Sequence, residues 1–208
     1  AHPSAEDRLA VEQALRMTQA WDWRDRTLGQ LSAGERQRVL LARAMSVQAA
    51  VLLMDEPLSA LDVTVQRHIL TLLADLKARH HLAYLFITHN ISVVEYLAHE
   101  VAVMYLGRFV EHGPAAEIFA NPRHPYTKAL ISAVPLPDPD AERAKQRIVL
   151  AGDLPSPLNP PSGCLFRTRC PIAQDVCAKK EPELANITSQ SSNPQPEAQD
   201  HQVRCHFT

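Results

Sequence analysis

The sequence predicts an α/β fold: a parallel sheet with crossover helices, followed by a small cysteine-rich extension. Three observations predict it. Apolar runs at residues 49–54, 82–87 and 101–105 are unbroken rather than alternating, as in strands covered on both faces. The intervals between them carry helical spacing. Composition then shifts: 14 of the 16 prolines lie at Pro114 or later, and all four cysteines at Cys164 or later.

In chain order, residues 6–20 form an amphipathic helix whose apolar members are Leu9, Val11, Ala14, Leu15 and Met17. "LSAGERQR" opens a second helix, with Ser32 and Glu35 in the S-x-x-E capping pattern. The run at 49–54 is the first strand. A helix over 63–79 follows, with Val65, Ile69, Leu72, Leu73 and Leu76 on one face. After the second strand comes a shorter helix over 91–99, then the third strand. This alternation is that of a right-handed crossover fold. "YLGRFVEHG" reads as a tight turn at Gly107 with a return strand. "HPYTKALISAVP" is a helix with Tyr126, Leu130 and Val134 on one packing face. The polar stretch 189–200 reads as a disordered insertion, and the sequon at Asn186, Ile187 and Thr188 as chance.

A formal charge of -2 gives no reason to expect a nucleic-acid surface. The longest apolar runs, about six residues, are too short to span a bilayer. The N-terminal "AHPSAEDRLAVEQ" has no basic region followed by an apolar stretch, and no initiating Met. The sequence is therefore expected to be part of a longer chain.

Ligands of open parallel sheets collect at the carboxyl ends of the strands, which directs attention to Asp55, Glu56 and His89. "VLLMDE" ends an apolar strand in two adjacent carboxylates. One can hold a hydrated Mg²⁺ while the other faces an attacking water, the two tasks of phosphoryl transfer to water. Two acids at a solvated strand end is the plainer alternative. Ser32 and Gly34 at a helix start suit either an ordinary cap or an anion site. A lone His89 is more often structural, but it follows a strand adjacent to the acidic pair.

The ordered set "LSAGE", "VLLMDEP", "LSALD" and "ITHN" resembles the second half of an ABC-type ATPase domain. The matches are the signature loop at 31–35, the Walker B strand at 51–55, Glu56, the D-loop at 59–62 and the switch His89. The resemblance implies that Asp55 assists Mg²⁺, Glu56 polarises water and His89 contacts the γ-phosphate. It implies that Ser32, Ala33, Gly34 and Glu35 meet ATP held by a partner subunit, and that Asp62 communicates across that interface. Two departures stand out: "LSAGE" replaces the usual LSGGQ, and Asn90 stands where the family usually has Asp.

A phosphate-binding G-x-x-x-x-G-K-[ST] loop is absent, since none of the six glycines is followed by Lys. Truncation is the simplest reading, and these residues alone are expected to be inactive. The tail, dense from 121 to 177, resembles the extension of ATP-binding subunits in bacterial oligopeptide and dipeptide importers, closest to the F-type subunit of an oligopeptide permease. On that resemblance, residues 1–28 end a helical subdomain and 29–113 are ATPase core. Residues 114–147 are a linker helix with a proline-rich connection, and 148–208 the cysteine-rich extension.

Cys164, Cys170, Cys177 and Cys205 have the spacing C-x5-C-x6-C-x27-C, which lacks the C-x2-C pairs of zinc sites. Four thiolates suit a [4Fe–4S] cluster, which the resemblance supports; four reduced thiols packing a subdomain is the alternative. Arg167, Arg169 and Arg204 are expected to pair with acids or solvent. The implied partners are a second ATP-binding subunit, two transmembrane permease subunits and a periplasmic or lipoprotein peptide-binding protein, with no nucleic acid. The implied place is the cytoplasmic face of the plasma membrane. Two other readings stay open: an interaction or iron–sulfur module without catalysis, and an ABC-type ATPase of DNA repair or translation.

Overall fold

Ser4 starts the first helix, accepting the Asp7 N–H while the Asp7 carboxylate accepts the Ser4 N–H. This reciprocal cap fixes where α1 (Ala5–Met17) begins. The computed structural model describes residues 3–187 and 201–207. They form two compact units, residues 1–93 and 94–208; the expected insertion at 189–200 and Thr188 lie outside the described residues.

In the first unit, α1 buries Ala14, while Leu9 and Val11, expected on its packing face, are exposed. Two short 3-10 turns, at Trp21–Trp23 and Leu28–Gln30, lead to α2 (Ala33–Met45). Strand β1 (Val51–Asp55) follows, then α3 (Val63–His80) and β2 (Ala83–Ile87). Helix α3 buries Ile69, Leu72, Leu73 and Leu76, the spacing the sequence predicts.

β1 and β2 pair in parallel, Val51 opposite Ala83 through Asp55 opposite Ile87. Their exposure alternates: Leu52 is buried, whereas Val51, Leu53, Leu85 and Ile87 are exposed. The unbroken apolar runs predict cover on both faces; among the described residues only one face has it.

α4 (Ile91–Leu97) runs through the unit boundary. The second unit is built on β3 (Glu100–Tyr105) and β4 (Arg108–Pro114). The third apolar run thus pairs antiparallel with its return strand rather than extending the parallel pair. Leu106 and Gly107, both at positive φ, make the tight turn that sets this hairpin. Helices α5 (Ala115–Ala120), α6 (Pro125–Ser132), α7 (Pro139–Ala144) and α8 (Asp175–Lys179) follow. Strands β5 (Ala185–Asn186) and β6 (Gln202–Val203) complete a sheet of order β3-β4-β6-β5. Its core gathers Tyr105, Val110 and Phe166, with Tyr126 packed edge-on against Tyr105. Among the described residues, no helix is long and apolar enough to cross a membrane.

Candidate active site

The parallel register of β1 and β2 brings the ends of both strands to one edge of the first unit. The chain leaves β1 through Glu56, whose N–H donates to the Ile87 carbonyl at 2.9 Å. Glu56 has φ +46, a left-handed conformation that is costly for a side-chain-bearing residue and gathers at functional sites. It turns the carboxylate toward the loop after β2. There, Oε1 accepts the His89 backbone N–H at 3.0 Å and lies 2.7 Å from His89 Nδ1. The hydrogen bond from the His89 ring holds the Glu56 carboxyl below its ordinary range, with partial burial opposing. Asp55, one residue earlier, stands exposed at the strand end.

Adjacent acids therefore have unlike surroundings: Glu56 is oriented and kept ionised by a histidine, whereas Asp55 faces solvent. A restrained carboxylate can orient a water, and an exposed one can help hold a hydrated divalent cation. The Thr88 hydroxyl accepts the Asn90 N–H at 3.1 Å, so the loop carrying His89 is itself pinned.

At the start of α2, Ser32 Oγ accepts the Glu35 N–H at 3.3 Å, and Glu35 Oε2 accepts the Ser32 N–H at 2.7 Å. The bond from the Ser32 backbone lowers the Glu35 carboxyl, with a smaller contribution from Arg26, whose guanidinium lies 3.7 Å away. An anion approaching this helix start meets an acid already seated there, and Arg26 offsets that charge. Ala33 is exposed. The missing side chain of Gly34 has a reason that spacing alone does not show: a Cβ there would fall 2.7 Å from Val65 Cγ1. The glycine lets the start of α2 lie against α3.

Asp62 caps α3, accepting the Val65 N–H at 2.9 Å. Val65 thus touches Gly34 and is tied to Asp62, which links the two helix starts. The loop between Glu56 and Asp62 is strapped internally. Ser59 Oγ donates to the Glu56 carbonyl, and Gln66 Nε2 donates to the carbonyls of Leu58 and Leu61, both at 3.0 Å. Sequence reasoning missed Gln66 and Arg26; a polar side chain four residues past a cap was the available signal for Gln66.

In the second unit all four cysteines are free thiols. Burial pushes the Cys164 and Cys170 thiols up, and the charge of neighbouring cysteines, Cys177 and Cys205 among them, pushes the same way. The Cys164 N–H donates to the Cys177 carbonyl at 2.7 Å. No group of three or more His, Cys, Asp or Glu among the described residues is arranged to hold a metal ion. Arg204 pairs with Glu181 at 3.5 Å, Arg167 Nε donates to the Ser162 carbonyl, and buried Arg169 Nε has no hydrogen-bond partner among the described residues.

Each unit matches a family of known proteins over part of its length. Residues 3–59 match the ABC transporter family, and residues 110–177 match the oligopeptide/dipeptide transporter C-terminal region. The chain is 51% identical over 155 residues to the oligopeptide transport ATP-binding protein OppF of Salmonella typhimurium, covering 74% of this chain and 46% of that one. It is 50% identical to OppF of Escherichia coli over the same length and the same shares. The chain spans about half the length of the curated relatives it matches. Among solved structures it resembles cbiO1 of Clostridium perfringens, part of the ABC transporter complex cbiONQ, at 30% identity and TM-score 0.53. That match covers 58% of this chain and 48% of cbiO1. An ATP-binding cassette of an ABC transporter in its ADP conformation shares the fold at 22% identity and TM-score 0.53, covering 58% of this chain and 49% of that one.

Proposed function

We propose, on the premise that the chain belongs to the ABC transporter family and carries the oligopeptide/dipeptide transporter C-terminal region, that it is the second half of the ATP-binding subunit of a bacterial peptide importer. The observation that carries the hydrolytic reading is the 2.7 Å contact between Glu56 and His89 across the ends of two parallel strands.

In this reading the substrate is ATP. Its phosphate cradle comes from polypeptide outside these residues, since no glycine here is followed by Lys. Glu56 orients the attacking water, and His89 keeps its carboxylate ionised and meets the terminal phosphate. Exposed Asp55 fits a Mg²⁺ site by its position and charge; a bound Mg²⁺ would neutralise charge developing on the phosphate. The start of α2, with Ser32, Ala33, Gly34 and Glu35, faces the nucleotide of a second ATP-binding subunit, and Asp62 stands at that interface. Two transmembrane permease subunits and a peptide-binding protein complete the importer, which places the subunit at the inner face of the plasma membrane. The exposed row of Val51, Leu53, Leu85 and Ile87 supports further polypeptide covering the sheet.

Cys164, Cys170, Cys177 and Cys205 are the proposed ligands of a [4Fe–4S] cluster. All four are free, and Cys164 and Cys170 each feel the other cysteines. Among the described residues the four are not already gathered as a metal-binding group, so the support for a cluster is the four free thiols of the extension. When bound, a cluster would supply an electron-accepting centre or a cross-link of the extension.

ATP-dependent peptide uptake tests the reading. A cell lacking the full-length subunit should lose uptake and regain it with the wild type, but not with Glu56→Gln. Restoration by Glu56→Gln would contradict it. The 208 residues alone are expected neither to bind ATP tightly nor to hydrolyse it, and micromolar binding by calorimetry would overturn that.

A further inference from the structure

Cys205 is separated from Cys177 by 27 residues, so local chain geometry cannot bring it near the other cysteines. It arrives on a segment whose strand, β6, has only two residues. Beside the backbone pairing of β6 with β4 and β5, a side chain of β4 ties this segment down.

Glu111 is completely buried. Its Oε1 takes the Arg123 N–H at 2.7 Å and lies 2.7 Å from His201 Nε2, while Oε2 takes the His124 N–H at 2.9 Å. A buried carboxylate is tolerated only when such donors surround it. Two of the three come from the approach to α6 and the third from the C-terminal segment, so one carboxylate ties both to β4.

The tie sets register. Glu111 pairs with Val203 and His112 with Gln202. A Cβ on Gly113 would come within 3.2 Å of the His201 Cα, so the segment lies closer than a side chain at position 113 would comfortably allow. Beyond the strand, the Arg204 N–H donates to the Val110 carbonyl, its Nε to the Phe109 carbonyl and its Nη1 to the Pro182 carbonyl. Cys205 follows directly, close enough for its charge to act on Cys164 and Cys170.

We infer that Glu111 is a positioning residue: through His201 it fastens the C-terminal segment so that Cys205 stands near Cys164 and Cys170. Cluster ligation by Cys205 rests on the function proposed above; its positioning by Glu111 does not.

The test is timed alkylation of the reduced, metal-free chain, read cysteine by cysteine by mass spectrometry, beside iron and sulfide content after anaerobic reconstitution. In Glu111→Gln, Cys205 should label about tenfold faster or more, with Cys177 much less changed. His201→Ala should do the same while keeping the Glu111 carboxylate and its two backbone donors, whereas His201→Gln, which keeps an N–H donor, should preserve protection. The Ile187 N–H already donates to the His201 carbonyl at 2.8 Å; replacing 188–200 with an Asn-Gly turn should therefore leave Cys205 protected. Wild-type labelling of Cys205 in folded His201→Ala overturns the inference, even where Glu111→Gln fails to fold. A wild-type chain that takes up no iron or sulfide, with Cys205 still exposed by His201→Ala, removes the cluster and leaves the positioning standing.

Discussion

His89 approaches one oxygen of Glu56 twice, donating its backbone N–H at 3.0 Å and presenting Nδ1 at 2.7 Å. Two contacts on one carboxylate oxygen fix both its direction and its charge, and both residues sit in loops that follow parallel strands. The sheet edge therefore carries a preorganised anion beside the free carboxylate of Asp55.

Removing the imidazole should release that charge. In His89→Ala, the largest influence lowering the Glu56 carboxyl is lost, so its titration midpoint should move up toward the ordinary 4.5. Carboxyl-carbon NMR of this chain reads the midpoint without any need for activity. An unmoved midpoint would show that the contact does not persist in solution.

Gly34 and Val65 should be coupled. A methyl at position 34 would meet Val65 Cγ1 at 2.7 Å, and overpacking of this kind costs about 1–3 kcal/mol. Gly34→Ala also gains up to about 1 kcal/mol of helix propensity, so the net loss should be modest, and larger for Gly34→Val. Val65→Ala in the same chain should restore most of it. Additive losses in urea denaturation would place the clash elsewhere.

His124 should make the second unit acid-sensitive. Burial pushes its ring down from 6.5 to about 4, with the Glu111 charge opposing. The folded form refuses a proton that the unfolded chain accepts, so the stability from a neutral His124 is complete above about pH 6.5 and lost as pH falls toward 4. The loss should be on the order of 3 kcal/mol. His124 Nδ1 also accepts the Tyr126 N–H at the start of α6, so His124→Asn keeps a capping group and removes the titration. Its urea midpoint should fall less than the wild type's between pH 7 and pH 4.5; equal falls would assign the sensitivity to other groups.

The legible part of the fold was the part written in short-range pattern. Ile69, Leu72, Leu73 and Leu76 face the interior of α3 as their spacing requires, and Ser32 with Glu35 forms the predicted reciprocal cap. The acids after the first strand and His89 after the second fall at one edge because parallel pairing puts like ends together. Other features depend on contacts between distant residues. The third apolar run reads like a further parallel strand, yet the turn at Leu106 and Gly107 returns it to Arg108–Pro114. The role of Gly34 depends on Val65, thirty-one positions on, and the burial of Glu111 on a partner ninety positions away. No local pattern encodes those pairs.

The most direct test of the account is phosphate release by the full-length subunit carrying Glu56→Gln, assembled with its second ATP-binding subunit and permeases. The amide keeps the shape of Glu56 but cannot act as the charged water-orienting group, so ATP should bind as in the wild type while release falls by about 10²–10⁴-fold. Release at the wild-type rate from a fully ATP-bound complex would contradict the assignment of Glu56.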